Sequence, residues 1–80
     1  MHAYVTEPHF EVAIKVTVDR QVRLRRIEVG ISQQVLADRC GFFRTYLSRI
    51  ENGSANPTII VLAKLAVSLE VDIAEFFRDS

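Results

Sequence analysis

The segment from Gln33 to Asn52 restricts the possible folds of this chain more than any other part of the sequence. Apolar residues in its first half recur at helical spacing as far as Cys40, and Gly41 then interrupts the pattern. A glycine at this point can adopt the positive φ that ends a helix and begins a turn. Helical spacing resumes at Leu47, so the segment predicts two short helices that cross at a steep angle. The residues expected to face inward are Leu36, Ala37, Cys40, Phe42, Leu47 and Ile50.

The second of these helices, predicted over residues 43–52, keeps a polar outer face once Leu47 and Ile50 turn inward. Arginine on such a face can donate two hydrogen bonds to the N7 and O6 atoms of guanine in the major groove of DNA. The alternative is that these arginines only solubilise an exposed helix. The outer face comprises Arg44, Thr45, Ser48, Arg49 and Asn52.

The net charge of zero conceals an uneven distribution of charge along the chain. Residues 20–49 carry seven arginines against Glu28 and Asp38, whereas the segments before and after are acidic overall. A nucleic acid requires a positive local potential rather than a basic total. The distribution therefore permits a nucleic-acid partner, although some of these arginines could simply lie on solvated helix faces.

Five segments of the sequence match one family pattern: RLRRIEVGISQQVLA, CG, RTYLSRIENG, NPT and LAKLAVSLEV. From about Val18 to Phe77 the chain resembles the Cro and phage-repressor type of helix-turn-helix, the XRE family of transcription regulators. The resemblance implies an all-α, five-helix, lambda-repressor-like domain over residues 19–80. It also implies a sequence-specific regulator that binds double-stranded DNA, similar to small phage repressors and to the controller proteins of restriction–modification systems.

The resemblance also implies roles for individual residues. Phe43 could lie against a thymine methyl group or a sugar, while Tyr46 could equally pack beside the loop. Ser32 could cap its helix and contact a phosphate at once. The residues at base-contacting positions are Arg44, Thr45, Ser48, Arg49 and Phe43, and those at backbone-contacting positions are Ser32, Gln33, Arg26, Asn52 and Tyr46.

Three further features of the family pattern concern helix ends and an ion pair. Arg26 and Glu51 match a pair that bridges the first and third helices. Phe43 stands where serine or threonine commonly caps the helix that reads DNA, predicted here over residues 43–52 and called the reading helix. Val35 stands where an acidic residue commonly completes a capping box with Ser32. We therefore expect Ser32 to cap its helix alone and Phe43 to provide no cap.

The N-terminal segment has a different pattern. Between Phe10 and Val18, apolar residues alternate with Glu11, Lys15 and Thr17, which is the period of a half-buried β-strand. Because the chain offers no second strand, we expect residues 10–18 to pair with a second subunit, as part of an arm spanning residues 1–18. The alternatives are an N-terminal extension of the first helix and an arm laid along the domain.

Helix boundaries elsewhere follow from capping residues. Asp19 is expected to cap a first helix that ends near Val29, with Val22, Leu24 and Ile27 inside. Asn56 and Pro57 are expected to start a fourth helix that ends near Leu69. The sequence from Asp72 to Glu75 predicts a capping box that opens a last short helix. The core stripe of the fourth helix is expected to comprise Ile59, Leu62, Ala63, Ala66 and Leu69.

A domain of this size touches few base pairs, so specificity in a genome favours a homodimer on a palindromic operator. The surplus apolar residues mark the expected interface, although some of them could complete the core instead. These residues are Ile60, Val61, Val67, Phe77, Val12, Ile14 and Val16.

Other kinds of function receive little support from the sequence. His2, His9 and Cys40 are too few and too scattered to predict a metal site, and no catalytic constellation or cofactor motif is visible. We expect no small-molecule ligand, no membrane span and a cytoplasmic location. The alternative to a transcription regulator is an antitoxin or another protein-interaction module.

Overall fold

A computed structural model describes residues 8–78 of the chain, with side chains described from Val12 onward. This part of the chain is all-helical, as predicted, and contains no β-strand. The fifth predicted helix is not an α-helix but a short 3-10 helix. The elements are α1 (Pro8–Val29), α2 (Gln33–Cys40), α3 (Arg44–Glu51), α4 (Ile59–Leu69) and the terminal 3-10 helix (Ile73–Phe77).

The predicted N-terminal strand is wrong, because residues 10–18 belong to the 22-residue helix α1. The β preference of valine is weak and yields to helix propagation and tertiary packing, which buries Val18 and Val22 against the core. Thr17 is accommodated in the helix, where its hydroxyl donates to the carbonyl of Ala13 (3.0 Å). Asp19 lies inside α1 and caps nothing, so the helical extension is the correct alternative. The strand-paired dimer is therefore excluded.

The N-terminal helix also changes which apolar side chains share a face. Val12 and Val16 lie one turn apart on the outer side of α1, whereas Ile14 faces the core side beside Val18. The predicted boundary between residues 18 and 19 falls within this helix. The predicted arm residues 1–7 lie outside the described part of the chain.

The turn between α2 and α3 forms as predicted. The Ser32 hydroxyl accepts a hydrogen bond from the Val35 amide (3.1 Å) and so caps α2. Gly41 ends the helix at φ +74°, and the Phe42 amide donates to the Ala37 carbonyl (2.8 Å). Phe43 occupies the N-cap position of α3 without a side-chain hydrogen bond. The turn is thus fixed by local hydrogen bonds and one glycine.

The core lies where α1, α2, α3 and α4 meet the terminal 3-10 helix. Leu24 and Ile27 were expected inside α1 but are exposed, because the buried face of this helix follows Val18, Gln21 and Val22 instead. Gln21 is buried and donates through Nε2 to the Arg78 carbonyl (3.0 Å), which ties α1 to the end of the domain. The fully buried large side chains include Phe76, Leu36, Leu47, Ile50, Leu65 and Val22.

Helix α4 begins two residues later than predicted. Thr58 is its N-cap, with the hydroxyl accepting from the Val61 amide (3.2 Å), rather than Asn56. The predicted core stripe is right at three positions, but Ile59 and Ala63 are exposed because the buried face is rotated toward Leu65. The buried residues of α4 are Leu62, Leu65, Ala66 and Leu69.

The last segment keeps half of the predicted capping box. The Asp72 carboxylate accepts from the Ala74 amide (2.9 Å), whereas the Glu75 carboxylate is bound by the Arg25 guanidinium of α1 (3.0 Å). This contact anchors the 3-10 helix to α1. Within residues 8–78, no helix has the length and apolarity needed to span a membrane.

Candidate nucleic-acid interface

Helix α3 divides into a buried face and a polar outer face. Leu47, Ile50 and Glu51 are buried, and these three positions fix the rotation of the helix about its axis. The opposite side carries the side chains that the sequence predicted for DNA reading. Arg44, Thr45, Arg49 and Asn52 are exposed, and Ser48 is half-buried.

Glu51, the last residue of α3, is held by the first helix. Its carboxylate is only 2% exposed and receives two hydrogen bonds from Arg26, at 2.7 Å from Nε to Oε2 and 2.9 Å from Nη2 to Oε1. The hydrogen bonds to Glu51 raise the pKa of Arg26, which burial alone would lower. Arg26 therefore remains fully charged, and the predicted bridge between the first and third helices is confirmed.

Two further side chains bind Glu51. Gln33 donates through Nε2 to Oε1 of the carboxylate (3.1 Å), and Arg23 donates to the backbone carbonyl of Glu51 (3.2 Å). From the sequence, Gln33 is predicted at a backbone-contacting position, and Arg23 counts only as positive charge. The spacing of the arginines could have predicted the Arg23 contact, because Arg23 precedes Arg26 by three residues and thus lies on the same face of the helix.

The other predicted backbone-contacting residues surround the two ends of α3. Besides its bonds to Glu51, Arg26 donates through Nη1 to the Ile31 carbonyl (3.0 Å), which leaves two of the five guanidinium N–H groups for other partners. The side-chain oxygen of Asn52 accepts from the Ser54 amide (3.0 Å) and closes the following loop. Tyr46 is half-buried and packs edge-on against Phe42, with ring centroids 5.5 Å apart.

A half-buried carboxylate lies behind the loop that follows α3. Asp19 of α1 approaches Gly53 so closely that a Cβ atom at position 53 would lie 2.8 Å from its Oδ2 atom. Burial raises the pKa of Asp19, while the nearby Arg23 and Arg20 side chains and a hydrogen bond with the Arg20 backbone act in the opposite direction. Gly53 adopts φ +80°, so both backbone and space favour glycine here.

The predicted interface residues fall into four groups. Ile60 and Val67 project from the outer side of α4, and Val67 is 78% exposed. Val61 is half-buried and packs against the core instead. Ile14 and Phe77 line a cavity of about 240 Å³ together with Ile59 and Leu62, and Val12 and Val16 are exposed on α1.

A family model described as helix-turn-helix, HTH_3, matches residues 22–76. This range contains the turn at Gly41, the outer face of α3 and the Arg26–Glu51 pair. The chain belongs to this helix-turn-helix family. The resemblance inferred from the sequence is thereby confirmed, and the match extends from the second half of α1 to the terminal 3-10 helix.

Among its relatives, this helix-turn-helix protein is 47% identical over 53 residues to an uncharacterized HTH-type transcriptional regulator, y4dJ, of Sinorhizobium fredii; the match covers 66% of this chain and 68% of the relative. Its fold is similar to that of the restriction–modification controller protein C.AhdI from Aeromonas hydrophila, with a TM-score of 0.78 and 32% identity over 81% of this chain and 98% of that one. The controller protein C.Esp1396I, solved as a tetramer in complex with its natural 35 base-pair operator, has a TM-score of 0.73 and 36% identity, covering 80% of this chain and 84% of that one.

Proposed function

We propose that this helix-turn-helix protein is a sequence-specific transcription regulator that binds double-stranded DNA as a homodimer and reads the major groove with α3. One observation carries the proposal. The inner side of α3 is fixed by Leu47, Ile50 and the buried Glu51, while its outer side presents Arg44, Thr45 and Arg49 to solvent. A rigid helix with such a face has the arrangement that base reading requires.

The proposed base contacts lie along the outer face of α3. Arg44 and Arg49 are suited to donate paired hydrogen bonds to guanine, and Thr45 can contact a base edge or a thymine methyl group. Ser48 has a shorter reach and is half-buried, so its contact requires the helix to lie deep in the groove. Phe43 completes the set at the N-terminal end of the helix.

The proposed backbone contacts orient the reading helix. Ser32 caps α2, whose free backbone amides and positive dipole end favour a phosphate. Tyr46 lies in the first turn of α3, Asn52 follows its last residue, and Gln33 braces Glu51 from α2. Arg26 uses three N–H groups within the protein, so a phosphate contact would engage the remaining two. Such contacts fix register without reading sequence.

The proposed homodimer forms through the outer side of α4. Helix α4 is largely apolar on both sides: its inner side is buried in the core, while Ile60 and Val67 are exposed on its outer side beside Lys64. A helix that is apolar all round is normally buried, and a second copy of the chain would cover this outer side. The competing surface, Val12 and Val16 on α1, continues along the helix into Arg20 and Arg23. The tetramer of C.Esp1396I on its operator supports assembly as a feature of this fold.

Selection from a random pool of duplex DNA with the purified protein tests the function. We expect enrichment of a palindrome whose half-sites lie about one helical turn apart, roughly 10 base pairs. The variant with both Arg44→Ala and Arg49→Ala should fail to enrich the same sequence. Binding without enrichment would contradict sequence reading, and absence of binding would favour a protein-interaction role instead.

Sedimentation of matched valine variants tests the dimer. Val67→Glu places a charge on the outer side of α4 and should yield monomers, whereas Val12→Glu on α1 should leave the dimer intact. Both valines are exposed, so neither substitution buries a charge in the core. The opposite result would place the interface on α1, and monomeric wild-type protein at all concentrations would exclude a homodimer.

A further inference from the structure

Two adjacent phenylalanines at the start of the reading helix have opposite environments. Phe42 is half-buried, packs edge-on against Tyr46 and lies 5.9 Å from the ammonium group of Lys64. Phe43 is 85% exposed, the highest value among the exposed large apolar side chains of the described residues. The Phe42 ring therefore contributes to the fold, whereas the Phe43 ring contributes little packing to it.

The backbone of Phe43 is nevertheless fixed. Its carbonyl accepts hydrogen bonds from the amides of Tyr46 (3.0 Å) and Leu47 (3.2 Å), which begin α3. Its side chain makes no cap hydrogen bond, whereas Ser32 and Thr58 cap α2 and α4 through their hydroxyl groups. An apolar N-cap weakens the helix start, and the exposed ring gains no burial in return. Phe43 is thus a fixed apolar group with little role in folding.

The position of Phe43 indicates what it contacts. It directly precedes Arg44 and Thr45, and in a helix-turn-helix the N-terminal end of the reading helix contacts base edges in the major groove. The polar donors and acceptors of the base edges there offer nothing to a phenyl ring, but the C5-methyl group of thymine is apolar. A methyl group at C5 of cytosine occupies the same place in the groove.

We propose that Phe43 is a specificity-determining residue that reads the C5-methyl group of a pyrimidine, either thymine or 5-methylcytosine, beside the bases contacted by Arg44 and Thr45. This inference rests on the proposed function, because it requires α3 to enter the major groove. It adds an apolar readout to the arginine readout, since removal of one methyl group changes shape and hydrophobicity without changing base pairing.

The test uses the operator obtained by selection from the random DNA pool. Each thymine is replaced in turn by uracil, which removes only the methyl group, and each cytosine is replaced by 5-methylcytosine. Binding of every duplex is measured for the wild type, Phe43→Ala and Phe43→Ser. Wild-type affinity should fall about fourfold when the thymine is replaced in one half-site, and about 15-fold when it is replaced in both, as expected for loss of one buried methyl group from each.

The phenylalanine variants decide whether the ring reads the methyl group. Phe43→Ala and Phe43→Ser should bind thymine and uracil operators equally at the sensitive position. Phe43→Ser supplies a hydroxyl cap and should unfold at a temperature no lower than that of the wild type, so its loss of discrimination cannot be attributed to loss of folding. Leu24→Ala is the matched control: Leu24 is an exposed apolar residue two positions before Arg26 on α1, which turns it away from Glu51. This variant should retain the wild-type discrimination.

The outcomes distinguish thymine from 5-methylcytosine. They also distinguish failure of the role proposed for Phe43 from failure of the proposed DNA-binding function. A uracil effect that depends on Phe43 identifies thymine, and a 5-methylcytosine gain that depends on Phe43 identifies the methylated cytosine. An operator that shows no such dependence at any position overturns the role of Phe43 while the proposed regulator stands. Failure to select any operator would instead overturn the proposed function, and the inference would fall with it.

Discussion

Arg26 and Glu51 lie 25 positions apart in the sequence, yet they form a two-point ion pair that fixes the end of the reading helix to α1. Nε and Nη2 of Arg26 lie 2.7 and 2.9 Å from the two carboxylate oxygens, and the Arg26 side chain is only 14% exposed. Because Glu51 is one turn beyond Leu47, any rotation of α3 about its axis would break this pair. The pair therefore couples the fold to the orientation of the proposed base-reading face.

Removal of one partner of this pair should be costly. Arg26→Ala leaves the Glu51 charge buried without its partner and should lower the free energy of unfolding by about 3–5 kcal/mol. Arg23→Ala removes only a hydrogen bond to the Glu51 carbonyl and should cost about 1 kcal/mol, measured by urea unfolding. A double variant, Arg26→Met with Glu51→Leu, should recover most of the loss. Equal costs for Arg26→Ala and Arg23→Ala would contradict the importance of the buried charge.

The two arginines on the outer face of α3 should act on specificity rather than stability. Arg44→Ala and Arg49→Ala should each lose about 1–3 kcal/mol of discrimination at one base position. Their free energies of unfolding should remain within about 0.5 kcal/mol of the wild type, because both side chains are exposed. Competition binding against singly substituted operators measures the first effect. Arg78→Ala, an exposed arginine after the 3-10 helix, is the control and should preserve base preference.

Gly53 and Gly30 form a matched pair for backbone strain. Both adopt a positive φ, +80° and +83°, so alanine should destabilise the protein by about 1–2 kcal/mol at either position. At Gly53 the new Cβ atom would also displace the Asp19 carboxylate, whereas nothing lies within 4 Å at Gly30. Gly53→Ala should therefore be the more destabilising, as measured by thermal unfolding. The difference between the two glycines should disappear when Asp19 is replaced by alanine.

The effect of Asp19 on the free energy of unfolding should depend on pH. Its pKa is raised above the ordinary value of 3.8 by burial, so the folded state holds the proton more tightly than the unfolded chain. The free energy of unfolding of the wild type therefore falls as the pH rises through the pKa of Asp19. The destabilisation caused by the charged carboxylate is fully present at neutral pH. Asp19→Asn removes the penalty and should gain stability relative to the wild type between pH 3 and pH 7, measured by unfolding at constant ionic strength. A pH-independent difference would show that the charge of Asp19 does not matter.

Local sequence signals were sufficient for the turn and for the outer face of α3. Ser32 caps α2 and Gly41 ends it with a positive φ, because both effects depend on atoms within four residues. The same holds for the missing cap at Phe43 and for the polar positions of α3, which follow once Leu47 and Ile50 are buried. The roles of these residues toward DNA remain predictions.

The N-terminal segment shows where local signals fail. Alternating valines favour a strand, but residues 10–18 continue α1 because each added helical residue gains a backbone hydrogen bond and packing against the core buries Val18. The helical spacing of apolar residues alone also predicted the wrong buried faces for α1 and α4. Which side of a helix is buried depends on where the other helices lie, so Leu24 and Ile59 are exposed while Gln21 and Leu65 are buried.

The sequence by itself determined the turn at Gly41, the cap at Ser32 and the composition of the outer face of α3, since these depend on spacing and short-range hydrogen bonds. It also identified the Arg26–Glu51 pair, though only through resemblance to a family. Only the tertiary structure decided that Arg23 and Gln33 also bind Glu51, that Asp19 faces Gly53 and that Leu65 rather than Ile59 lies on the buried face of α4. These contacts join residues distant in sequence, and their geometry is set by the packing of whole helices rather than by any local pattern.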